Sequence, residues 1–193
     1  MPLSPAAPRR HIHTRRIECA GYIREDGLWD IEARMTDTKT YGFGSRHRQH
    51  IAAGEPIHEM VMRITVDDDL TLLKVEAETL NAPYRVCPGI AAAYQQLEGL
   101  RIQPGFTAAV RKRVGGVQGC THLSELLGPL ATTAVQTVRA SAHYAKALVG
   151  RPLPEPENAS SSVPGHLNSC HALDSAGPVV REIWPEAWTG AQD

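Results

Sequence analysis

Apolar residues recur at every second position along much of the first half of the chain, then at helical spacing. Ile17, Cys19, Gly21 and Ile23 alternate with Arg16, Glu18, Ala20 and Tyr22, which is the period of a half-buried strand. After the turn signal Glu25-Asp26-Gly27, Trp29, Ile31, Ala33 and Met35 alternate with Asp30, Glu32 and Arg34. The two segments therefore predict a hairpin with one buried face. A second hairpin is predicted from Met60, Met62, Ile64 and Val66, a turn at Asp67-Asp68-Asp69, and Leu73, Val75, Ala77 and Thr79 on the return. Between them, residues 37 to 57 lack periodicity and read as a long loop, a length that in compact domains goes with function or mobility.

From about residue 89 the period becomes helical. Ile90 to Tyr94 open one helix that Gly99 closes. Phe106, Ala109, Val110 and Val114 predict a second, begun after Pro104 and stopped by Gly115-Gly116. Leu123, Leu126, Leu127, Leu130, Ala134 and Val138 form the apolar stripe of a long third helix, with Pro129 inside it. The expectation is an α+β domain over residues 1–150, a four-stranded mostly antiparallel sheet of two hairpins packed by about three helices. A Pro/Ser-rich linker at 151–165 and a C-terminal docking tail at 166–193 follow. The tail carries Val179, Val180, Ile183, Trp184 and Trp188, an apolar content that calls for packing on the domain or on a second copy.

Charge narrows the partners. Lys and Arg total 20 against 21 Asp and Glu, so no strong field favours nucleic acid or a membrane surface. The basic run Arg9 to Arg16 reads as a solvated arm. The ten aromatic residues do not interleave with basic ones, which counts against a single-strand platform. No apolar run reaches membrane-spanning length, and the first eight residues lack the features of a leader. The expected setting is cytoplasmic, with four reduced cysteines acting as core residues, ligands or nucleophiles. Nucleophile-elbow and phosphate-loop motifs are absent from the sequence.

Chemistry concentrates at three positions, His58 in Gly54-Glu55-Pro56-Ile57-His58, Cys87 in Val86-Cys87-Pro88-Gly89, and Cys120 in Gly119-Cys120-Thr121-His122. Their spacings of 29 and 33 residues are not those of a local zinc hairpin. The stretch from Gly54 to Val138 resembles the iron–sulfur cluster scaffold fold (NifU N-terminal-like). That family places a Gly-x-Pro-x-Cys loop before a hairpin, a cysteine after it, and a third cysteine at the start of the last helix. Here His58 replaces the first cysteine, and the family's loop aspartate has only Glu59 near it. The resemblance implies an iron–sulfur-scaffold-like fold in which His58, Cys87 and Cys120 converge on a metal. Separately, Thr36-Asp37-Thr38-Lys39, Gly119 to Leu123 and Cys170-His171-Ala172-Leu173 resemble an uncharacterised proteobacterial family of unknown function, which implies a setting in small-molecule, aromatic catabolism.

An imidazole in place of a thiolate suits a single zinc or iron ion better than a bridged cluster. His122 and Glu125, three apart on one helical turn, could face such a site together, with Glu59, His122, Glu125 or Asp37 moving protons. The expected activity is a metal-dependent lyase cutting a carbon–carbon bond, or a hydrolase, on a small organic substrate. The alternative is an iron–sulfur scaffold or metal-delivery protein. Cys19 reads as core and Cys170-His171 as tail packing. His11, His13, His47, His50, His143 and His166 read as surface.

Overall fold

A computed structural model describes residues 3–150 and 167–191. The chain divides into two compact units, Met1–Ala145 and Lys146–Asp193. In the first, β1 (His13–Ile23), β2 (Trp29–Lys39), β5 (His58–Val66) and β6 (Leu72–Asn81) form one sheet in the order β1-β2-β5-β6, every pair antiparallel. The predicted long loop is partly ordered. Strand β2 runs on through Lys39, and β3 (Phe43–Ser45) pairs with β4 (Gln49–Ile51) as a small separate hairpin.

The alternation read from sequence sets the inner face. Trp29, Ile31 and Met35 are fully buried on β2, as are Met60, Ile64 and Val66 on β5. They meet the stripe Leu123, Leu126, Leu127, Leu130 and Ala134 of α2 (Thr121–Val135), all buried. Each leucine, isoleucine, valine or methionine among them contributes roughly 1.5–3 kcal/mol by leaving water. Helix α1 is Phe106–Val114, and the predicted helix before it is a 3₁₀ helix, Cys87–Leu97. The long third helix continues through Pro129, widens into a π turn at Gln136–Ala140, and resumes as α3 (Ser141–Leu148). That turn brings Thr137 onto β1. A Cβ at Gly21 would lie 2.0 Å from Thr137 Oγ1, so only glycine admits the helix this closely.

The β5–β6 pairing departs from the simple alternation at two positions, between Glu59 and Met60, where Leu80 is the extra residue, and at the other end of the ladder. The ladder slips between Thr65 and Val66, so Val66 faces Leu72 and Thr65 faces Lys74. Leu73 is the extra residue and turns outward, while Leu72 takes the buried place. The second unit contains α4 (Pro178–Ile183), with Arg181 stacked over Trp188 at 4.8 Å and the Trp188 indole donating to the Ala176 carbonyl. The proposed linker at 151–165, His166 and the His143 side chain lie outside the described residues. Among the described residues no helix is long and apolar enough to cross a membrane.

Candidate metal centre

Extending the inward rows toward one end of the sheet replaces hydrocarbon by polar groups. On β1, the row containing Ile17 and Cys19 runs back to Arg15 and His13; on β2, Met35 is followed by Asp37; on β5, Met60 is preceded by His58. Register places these residues side by side, since Arg15 pairs with Asp37 and Asp37 with His58. Helix α2 begins over the same end and adds His122 from its first turn and Glu125 from the next.

That helix start is held from below. The fully buried Tyr94 accepts the Cys120 N–H at 3.0 Å, donates to the Cys120 carbonyl at 2.7 Å, and meets Ser124 Oγ at 2.8 Å. The residue before Cys120 must be small as well. A Cβ at Gly119 would lie 2.0 Å from the Val114 carbonyl oxygen.

Asp37 is the hub. It is 1 % exposed and accepts hydrogen bonds from Arg15 Nε at 2.8 Å and His13 Nε2 at 3.0 Å on Oδ1. Oδ2 accepts from Arg15 Nη2 at 2.7 Å and His58 Nδ1 at 3.1 Å, and lies 3.8 Å from His122 Nε2. Arg15 Nη1 reaches the Glu125 carboxylate, so one guanidinium braces β2 to α2. The His58 and His122 rings stack with centroids 3.7 Å apart.

Electrostatics follow from this packing. Burial pushes the Asp37 carboxyl upward, but the hydrogen bonds from Arg15 and His13, with the Arg15 and His58 charges, outweigh it and hold the group well below the usual carboxylate range. Burial lowers His58, and a charge on His122 or Arg15 adds to that effect, against the opposing pull of Asp37. Burial likewise lowers His122, reinforced by Arg15 and opposed by Asp37 and Glu125. Both stacked imidazoles therefore favour the neutral form that binds a metal or accepts a proton.

Asp37, His58 and His122 each offer one ligand atom, and these atoms lie within 4.8 Å of one another. Ligand bonds of about 2.0–2.2 Å place neighbouring donors in a tetrahedral or octahedral shell roughly 3–3.6 Å apart. Of the separations measured from Asp37 Oδ2, the 3.1 Å to His58 falls inside that range and the 3.8 Å to His122 lies just beyond it. Two imidazoles and one carboxylate form the donor set of open-sided iron sites and of catalytic zinc.

The convergence differs from the one expected at His58, Cys87 and Cys120. His58 stands in the cluster, but its companions are Asp37 and His122, and neither cysteine belongs to the donor group. Cys120 precedes α2 and packs against the core, while Cys87 opens the 3₁₀ helix. The reason is helical geometry: the side chain that α2 aims at the sheet end comes from inside its first turn, two residues past Cys120. Glu59 is turned away, because successive strand residues face opposite sides. It is bonded instead to Arg34 and, at 2.7 Å, to Asn81 Nδ2. His122 and Glu125 do share the site, and Asp37 stands at its centre. Cys19 packs on the core as expected, and Cys170 is exposed.

Two residues were missed. His13, read as surface, and Arg15, read as part of a solvated arm, both bind Asp37. Counting back by twos from Ile17 would have placed both on the inner face.

No curated protein and no solved structure matches the chain, so the iron–sulfur scaffold resemblance has no structural confirmation. Residues 13–136 do match one family over the whole four-stranded sheet, α1 and α2, including every residue of the polar cluster. The chain belongs to that family, described as a protein of unknown function (DUF2889).

Proposed function

We propose that Asp37, His58 and His122 hold a single divalent zinc or iron ion, and that the protein is a metal-dependent lyase or hydrolase acting on a small organic substrate. The observation that carries this reading is the convergence of two imidazoles, from β5 and α2, on the buried, ionised carboxylate of β2. A structural ion pair would need Arg15 and Asp37 alone, and would not explain two stacked, neutral imidazoles drawn against it. A bound metal would polarise a substrate oxygen or lower the pKa of a water toward about 7. The surrounding residues have separate tasks. His13 and Arg15 orient Asp37, as second-layer partners of metal ligands do. Glu125, partly exposed and held by Arg15, is placed to exchange a proton with a substrate entering from solvent. The cluster-scaffold alternative needs thiolate ligands at the site, and the donor group contains none.

Elemental analysis of untagged protein tests this. About one zinc or iron per chain is expected, lost in Asp37→Asn, His58→Ala and His122→Ala and kept in Cys87→Ser and Cys120→Ser. Metal lost with the cysteines and kept without the histidines would overturn the assignment, as would protein that stays metal-free after anaerobic reconstitution.

A further inference from the structure

We propose that Arg15 is the positioning residue that sets how Asp37 presents itself to the metal and how far Asp37 stands from His122. This rests on the metal reading above and adds a role for a side chain that touches no metal.

The argument begins with what the two ligands lack. Asp37 sits near the end of β2 and His122 in the first turn of α2, on elements joined by no short connection. Their relative placement could drift by the 1 Å that spoils a coordination shell. The Arg15 fork removes that freedom. Nε and Nη2 make parallel bonds to both Asp37 oxygens at 2.8 and 2.7 Å, fixing the plane of the carboxylate. His13 at 3.0 Å completes the occupation of Oδ1. Oδ2 alone is then left facing the imidazoles, so Asp37 is restricted to one-oxygen ligation and further coordination positions stay open for substrate. The remaining guanidinium arm, Nη1, grips Glu125, three residues beyond His122 on the same helix face. One rigid planar cation thus ties the carboxylate ligand to the helix that carries an imidazole ligand. Lysine cannot substitute, because a single ammonium cannot make the parallel pair and the third bond in fixed geometry.

The test is cobalt(II) binding to the full chain, followed by visible absorption, in wild type, Arg15→Ala, Arg15→Lys and Glu125→Gln. Absorption intensity reports coordination number, and thermal melting of the metal-free proteins reports folding. Wild type should bind one cobalt(II). Arg15→Ala and Arg15→Lys should bind about 10–100-fold more weakly, the usual cost of losing an outer partner of a metal ligand, with altered absorption. Glu125→Gln should weaken binding less, with the spectrum nearly retained. Should Arg15→Ala fail to fold, Arg15→Lys still decides, since it keeps the charge. Wild-type affinity and spectrum in Arg15→Lys would overturn the proposal by showing that charge alone suffices. A lowered melting temperature in Arg15→Ala with unchanged affinity would reduce Arg15 to a structural role and overturn it too. Absence of cobalt binding by wild type would instead overturn the metal reading on which it stands.

Discussion

Replacing Asp37 by asparagine in metal-free protein isolates the electrostatic work of the hub, because the side chain keeps its volume and leaves no cavity. Four hydrogen bonds end on this carboxylate, from His13, His58 and twice from Arg15. Removing one member of a buried charge pair costs roughly 3–5 kcal/mol. Two features reduce that figure. The Arg15 side chain is 34 % exposed and keeps Glu125, and the His13 side chain is 44 % exposed, so both can recover water. A loss of about 2–4 kcal/mol is expected at pH 7, read as a lower urea midpoint with an unchanged slope. Its pH dependence has a definite sign. The folded Asp37 carboxyl lies below the unfolded value of about 3.9, so its contribution is complete above that value and lost only as pH falls through the folded one. The Asp37 contribution to the difference between variant and wild type should therefore stay level from pH 7 to about pH 5. A loss under about 1 kcal/mol with an unchanged slope would refute the view that Asp37 organises this end of the sheet.

Tyr94→Phe should cost about 1–3 kcal/mol in urea unfolding, because the half-buried Cys120 N–H loses its acceptor; a neutral substitution would show that the start of α2 is held otherwise. Metal-free protein should lose stability as pH falls below the ordinary histidine value of about 6.5, since unfolding then takes up protons at His58 and His122, whose folded values lie lower. Unfolding midpoints across pH 5 to 8 check the sign, and the dependence should shrink in a His58→Ala, His122→Ala double variant. At pH 8 iodoacetamide should modify exposed Cys170 well before Cys19, whose thiol burial pushes up against a hydrogen bond with Thr133; peptide mapping over time gives the order.

Much of the candidate site was legible as interruptions in periodic rows. Asp37 continues Trp29, Ile31, Ala33 and Met35 by one further step of two, and His58 precedes Met60, Met62, Ile64 and Val66 by the same step. A polar residue on an inward row has to be satisfied by other polar residues at the same end, and His13 and Arg15 complete the pattern on β1. The spacing of His58, Cys87 and Cys120 carries no such constraint. Cysteines at element boundaries are as readily small core residues as ligands.

What the chain determined by itself was local: strand and helix periods, the turns at Glu25-Asp26-Gly27 and Asp67-Asp68-Asp69, and the apolar stripe of α2. Those follow from backbone geometry over a few residues, where every second or every third-to-fourth side chain shares a face. The tertiary structure alone decided the order β1-β2-β5-β6, the slip that buries Leu72 in place of Leu73, and the sheet end over which α2 begins. These depend on pairing between distant segments, where a one-residue shift exchanges the two faces of a strand. The meeting of Asp37, His58 and His122 is a product of that pairing, so their individual positions could be read along the chain but their contact could not.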